Sequence, residues 1–130
     1  MAASYLSRMG AAADVRPVAI LKSSDIRRTE DWYGNVGFVV RAHHPEEAPT
    51  WCELERHGTV LQFLSGETPW SGAPSFTGCF YVYCADVDAV YEQVRDRVDL
   101  EWGVEDRDWG ARELVLRDPD GYFVTFTQPA

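Results

Sequence analysis

Arg112-Glu113-Leu114-Val115-Leu116-Arg117-Asp118-Pro119-Asp120-Gly121-Tyr122-Phe123-Val124-Thr125-Phe126-Thr127 decides the fold. Two runs rich in Val, Leu, Phe, Tyr and Thr flank Asp118-Pro119-Asp120-Gly121. Proline presets φ near about −65° for a turn, and glycine accepts the positive φ of a tight reversal. The flanking runs alternate in polarity, as half-buried strands do. The stretch reads as a β-hairpin that closes the chain, opened by Trp109-Gly110.

Working back from the hairpin, Gly78 to Cys84 reads as a strand and Asp86 as a helix N-cap. Val87, Val90, Tyr91, Val94 and Val98 then recur at helical spacing, which predicts an amphipathic helix. Leu100 to Val104, Arg112 to Leu116 and Tyr122 to Thr127 complete this half as strands. The first half has the same order. Val15 to Lys22 is a strand and Ser23-Ser24-Asp25 a cap. A helix to about Asn35 follows, with Ile26, Trp32, Tyr33 and Val36 on its apolar side. Arg27 and Asp31 form an i, i+4 pair on its wet side. Gly37 to Val40 begins the next strand. After an acidic turn region from Pro45 to Pro49, Trp51 to Glu55 and Val60 to Leu64 are strands joined at His57-Gly58.

Each half therefore reads β-α-β-β-β. The helix starts Asp25 and Asp86 are 61 positions apart, and the hairpin glycines Gly58 and Gly121 are 63 apart. Two offsets that nearly agree argue for an internal duplication. The expected organisation is a loose arm over 1–13, a first module over 14–66, a linker over 67–76 that holds Pro69, Gly72 and Pro74, and a second module over 77–128. All of this is one structural domain.

With 130 residues, 45% of them apolar, the chain is long enough for a core and too apolar to be disordered. It has no apolar run of about 18 residues, so a membrane span is not expected. The Ala-rich start lacks the charged and apolar segments of a signal peptide. Cys52, Cys79 and Cys84 lack metal spacing and are expected as buried free thiols in strands, which suits the cytoplasm. The formal net charge of −9, with no basic stripe, disfavours nucleic acid and suits a cationic ligand.

The closing hairpin resembles the end of the bleomycin-resistance proteins. There Trp-Gly precedes a strand, Arg-Asp-Pro-x-Gly and a final strand, as Trp109-Gly110 precedes Arg117-Asp118-Pro119-Asp120-Gly121 here. Asp25, Trp32-Tyr33 and Gly37-Phe38 are similar to the same family's first module. These proteins sit within the glyoxalase/bleomycin-resistance/extradiol-dioxygenase superfamily, also called vicinal oxygen chelate. The resemblance spans Val15 to Gln128. It implies an α+β fold of two βαβββ modules, whose curved mixed sheets form a cleft, in a strand- or arm-exchanged homodimer.

Metal-dependent members of that superfamily hold a divalent cation from four inward strand positions. Spacing from Asp25, Asp86, Gly58 and Gly121 puts those positions at Val18, Cys79, Gln62 and Thr125. Valine cannot ligate and threonine is a poor ligand for such a cation, so no catalytic metal or other cofactor is expected. His43, His44 and His57 fall near turns, with His43-His44 read as a solvated loop. Ser23-Ser24 reads as capping, and the pairs Glu46-Glu47 and Asp106 with Asp108 as solvated acids.

Aromatic residues are abundant, with five Trp and six Tyr. Cys79, Tyr81 and Tyr83 alternate onto one strand face, which the family register makes the cleft face. The resemblance implies cleft aromatics at Tyr81, Tyr83 and Trp109, with Trp51, Gln62, Trp102 and Thr125 added from strand direction. It implies a protein that sequesters a DNA-damaging natural product, bleomycin-like, mitomycin-like or enediyne-like, without changing it. The ligand would be cationic or polyaromatic, held in a cleft completed by the second subunit of a homodimer. The alternative is an enzyme of the same fold acting on a small metabolite, such as a glyoxalase-like lyase, isomerase or dioxygenase.

Overall fold

The computed structural model describes residues 18–67 and 79–130. The expected arm over 1–13 and nearly all of the linker over 67–76, with Trp70, lie outside the described residues. The elements run β1 (Ala19–Lys22), α1 (Ile26–Asn35), β2 (Val39–His44), β3 (Trp51–Arg56) and β4 (Thr59–Leu64). They continue with β5 (Cys79–Tyr83), α2 (Val87–Val94), β6 (Leu100–Asp106), β7 (Arg112–Arg117) and β8 (Phe123–Gln128).

The two halves build the same object twice. One sheet has the order β1-β4-β3-β2 and the other β5-β8-β7-β6. Each is mixed, with its first and fourth strands parallel and the remaining pairs antiparallel. Ile20 pairs with Gln62 in the first sheet as Tyr81 pairs with Thr125 in the second. The fold is the α+β pair of βαβββ modules that the repeat predicts.

Local chemistry sets the element ends. The Asp25 and Asp86 carboxylates each accept from the backbone amide three residues on, at 3.1 Å in both cases. Each thereby satisfies a donor that the first helical turn leaves free. Gly58 and Gly121 have φ of 88° and 90°, the left-handed turns between β3 and β4 and between β7 and β8. Helix α2 stops at Val94, earlier than the spacing predicts. The amides of Arg97 and Val98 close back on the Val94 carbonyl, and Val98 packs on the core from this closing turn.

Strand parity divides each sheet into two faces. Cys52, Leu54, Leu61 and Phe63 of the first sheet, and Val82, Leu114, Leu116, Val124 and Phe126 of the second, point to the helices. They form a single core with Ile26, Tyr33, Val87, Val90 and Val94. Burial of each such side chain contributes about 1.5–3 kcal/mol. The modules are also tied by polar contacts. The Tyr33 hydroxyl donates to Asp118 Oδ2 at 2.9 Å, and the Tyr122 hydroxyl donates to the Lys22 carbonyl at 2.7 Å.

Three local expectations are corrected. Cys52 is buried, but Cys79 is exposed, because odd positions of β5 face away from the core, and Cys84 is half-buried just past the end of β5. Arg27 turns to Glu30, at 3.5 Å, and to the Glu46 carbonyl rather than to Asp31. His43 and His44 end strand β2 rather than sit in a solvated loop. Alternation sends His43 inward, where its Nδ1 lies 2.8 Å from Glu30 Oε2 and its Nε2 3.2 Å from Glu46 Oε1. Among the described residues no helix is long and apolar enough to cross a membrane.

Candidate ligand-binding site

The faces turned away from the helices are open, and large apolar side chains stand exposed on them. On the second sheet, register alone lays out two rows across four strands. One row is Tyr81, Thr125, Val115 and Trp102; the next is Tyr83, Thr127, Glu113 and Glu105. Tyr81, Thr125 and Trp102 are thus cross-strand neighbours rather than scattered positions.

Tyr81, Tyr83 and Trp109 are 44%, 69% and 63% exposed and wall a cavity of about 360 Å³ with Ala111, Thr127 and Pro129. The rings of Tyr81 and Tyr83 meet edge to face, 6.3 Å between centroids. Trp102 stands against the edge of Phe123, 5.9 Å away, outside that cavity. Thr125 is buried beneath the row, only 3% exposed. Trp51 and Gln62 lie on the first sheet and contribute nothing to this cavity. The seven expected residues therefore form a group of three around one cavity, two more on the same sheet face, and two on the other sheet.

Trp109 is aimed by a compact turn. The Arg107 amide donates to the Ala111 carbonyl at 2.7 Å and the Gly110 amide to the Arg107 carbonyl at 3.1 Å. Gly110 has φ of 92°, which favours glycine. The Arg107 guanidinium lies 5.9 Å from the Trp109 ring centre, a cation–π arrangement.

Arg107 is in turn fixed by Glu113, a residue the sequence reading did not single out. Arg107 Nε donates to Glu113 Oε1 at 3.2 Å, and Thr127 Oγ1 to Glu113 Oε2 at 3.1 Å. Burial, then the neighbouring Glu113 carboxylate, pushes the Tyr81 hydroxyl above its ordinary range. Glu113, only 2% exposed, thus reaches Tyr81, Thr127 and, through Arg107, Trp109. Strand parity places Glu113 on the open face; its burial comes from neighbours that only the folded sheet brings together.

On the first sheet a second relay appears. Trp51 Nε1 donates to Gln62 Oε1 at 3.2 Å, and Gln62 Nε2 donates to Glu53 Oε1 at 2.9 Å. Glu53 is also only 2% exposed and was also not foreseen. Its signal was parity, since Trp51, Glu53 and Glu55 alternate with the core residues Cys52 and Leu54.

The four positions that spacing assigns to the ligands of metal-dependent relatives are Val18, Gln62, Cys79 and Thr125. Gln62 is already engaged between Trp51 and Glu53, Thr125 is buried, and the residues opposite them are Ile20 and Tyr81. This donor set does not fit a divalent cation. A larger groove of about 550 Å³ runs between Trp32 and the turn after α2, and two of its three arginines already have acids, Arg95 with Glu92 and Arg117 with Glu101.

A sequence profile of the Glyoxalase/Bleomycin resistance protein/Dioxygenase superfamily matches residues 17–126. The chain belongs to this superfamily. Among curated proteins none matches. Among solved structures it is similar to TioX from Micromonospora sp. ML1, at 23% identity and a TM-score of 0.70, over 89% of this chain and 97% of that one. It is similar to a bleomycin-binding protein complexed with bleomycin, at 20% identity and a TM-score of 0.67, over 89% and 99%. It is also similar to a bleomycin resistance determinant encoded on the transposon Tn5, at 22% identity and a TM-score of 0.63, over 88% and 98%. These likenesses establish the superfamily fold along nearly the whole chain. The superfamily holds binding proteins and enzymes alike, so the site itself has to carry the functional reading.

Proposed function

We propose that the protein is a cytoplasmic binding protein that sequesters a planar or cationic natural product without altering it. The observation that carries this is the aromatic cavity of Tyr81, Tyr83 and Trp109, on a scaffold whose ligating positions hold groups unsuited to a metal. Open aromatic faces stack on flat or cationic ligands at about 0.5–2 kcal/mol per contact. The net charge of −9 attracts a cation over distance.

The active unit in this reading is a homodimer. A cavity of about 360 Å³ is at the small end for a drug-sized ligand, and its walls come from the second module and the chain's last residues. The exposed apolar residues Ile20, Val39 and Val40 on the first sheet give a second copy something to cover. Each cleft would join the second sheet of one protomer to Trp51 and Gln62 of the other. The 1–13 arm is proposed to cross between subunits, with 14–66 and 77–128 as the modules.

The test is calorimetric titration with bleomycins, mitomycins and enediynes, with recovery of the ligand afterwards and sedimentation of the protein at micromolar concentration. The reading expects a bound, chemically unchanged ligand and a dimer. A chemically altered product would make the protein an enzyme, and a monomer that binds normally would remove the shared cleft.

A further inference from the structure

Two buried carboxylates sit on the open sheet faces, and they differ in one respect. Glu113 has its own cation, with Arg107 Nε at 3.2 Å. Glu53 is equally buried, at 2% exposure, and no salt bridge reaches it among the described residues. Its partner is the neutral amide of Gln62, at 2.9 Å. Arg41, on the neighbouring strand β2, is engaged by Glu55 two residues along β3.

The relay that ends at Glu53 has a fixed polarity. An indole can only donate, so Trp51 holds the Gln62 oxygen towards itself. That leaves the Gln62 nitrogen to donate towards Glu53. Every proton in the chain points the same way, and the chain ends on a carboxylate whose partner is a neutral amide. A buried carboxylate without a cation is costly unless something supplies one.

The fold does not require an acid at this place. Gln62 and Glu53 are cross-strand partners in the first sheet, as Thr125 and Val115 are in the second. The duplication thus makes Val115 the counterpart of Glu53, and valine fills that place, 5% exposed, with no polar partner needed.

We infer that Glu53, held by Gln62 and Trp51, is the subsite for a cationic group of the ligand: an ammonium, amidinium or guanidinium. This rests on the binding reading above and names the charge that the first sheet selects. The aromatic cavity of the second sheet takes the flat part of the ligand and Glu53 takes the cation, so discrimination between charged and neutral ligands resides in Glu53.

The experiment uses the full chain and two probes of equal shape, 2-naphthylmethylammonium and 2-naphthylmethanol, titrated to millimolar concentration. The readout is the Trp51 indole N–H resonance, assigned by its loss in Trp51→Phe. The ammonium is expected to move that resonance and to bind about tenfold or more tighter than the alcohol. Glu53→Gln, folded by its own melting curve, should abolish the preference and leave the alcohol's affinity within about twofold. Glu53→Val, the residue of the sister sheet, should do the same if the amide perturbs folding.

Equal binding of the two probes to the parent protein, or an undiminished preference in Glu53→Gln, overturns the inference. So does a Glu53→Gln protein that dissociates to monomers with its probe preference intact, which would assign Glu53 to an interface between copies. If Tyr81→Ala and Trp109→Ala weaken both probes while Glu53→Gln weakens neither, the cavity reading stands and this one falls. If none of the variants has an effect, both fall.

Discussion

The hydroxyl of Tyr33, on α1 of the first module, donates at 2.9 Å to Asp118 in the β7–β8 turn of the second. Tyr33 is fully buried, and the other oxygen of Asp118 accepts from the amides of Asp120 and Tyr122, both at 2.9 Å. The turn that closes the chain is therefore shaped by one carboxylate and clamped to the other half of the molecule by one phenol.

Tyr33→Phe keeps the ring and removes that donor. It should lower stability by about 1–3 kcal/mol in denaturant titrations at neutral pH, the usual effect of leaving a buried acceptor short of a partner. Burial holds the Asp118 carboxyl above its ordinary range, against the hydrogen bonds from Tyr122, Tyr33 and Asp120 that lower it. Its contribution is complete below the unfolded value of about 3.9 and is lost as pH rises through the raised folded value. Asp118→Asn should flatten this part of the stability–pH curve, and an unchanged slope would contradict the assignment.

His43 supplies a second pH dependence. Hydrogen bonds to Glu30 and Glu46, the former larger, hold its imidazole above 6.5. The stabilisation is complete below the ordinary histidine value and lost as pH rises through the raised one. Melting between about pH 6 and pH 9 should show the protein losing stability in that window. His43→Gln should not share that loss.

Arg107→Ala should loosen Trp109 and leave Glu113 buried without its cation. Loss of both should cost stability, and Trp fluorescence anisotropy should fall. Arg107→Lys restores charge but not the planar stack. It should recover stability more fully than anisotropy, whereas equal recovery of the two would deny the stacking role.

The fold was legible because its signals are local. Asp25 and Asp86 announce their helices, Gly58 and Gly121 their turns, and parity alone put Tyr81 and Tyr83 on one face. The two buried acids were not legible. Nothing in the sequence singled out Glu53 or Glu113, since charged residues are mostly exposed and their burial depends on neighbours from adjacent strands. The exposure of Cys79 was missed for the opposite reason, since parity put it on the open face but composition suggested a buried thiol. The grouping of Trp51 and Gln62 apart from Tyr81 and Trp109 follows from the duplication, which gives each half its own sheet.

Purified protein should carry no stoichiometric zinc, nickel, manganese or iron, and a chelator should leave ligand affinity unchanged. One tightly held metal per chain, lost in Gln62→Ala or Cys79→Ala, would overturn the account of the ligating positions.

The most direct test of the central claim is calorimetric titration of bleomycin into the parent protein, Tyr81→Ala and Trp109→Ala, each also melted without ligand. The account predicts binding of an unmodified drug, slower association as salt rises, and a loss of about 1–3 kcal/mol of binding in each variant, with melting little changed. Variants that melt early but bind normally when folded would return these rings to a structural role. An altered drug recovered from the parent protein would contradict sequestration outright.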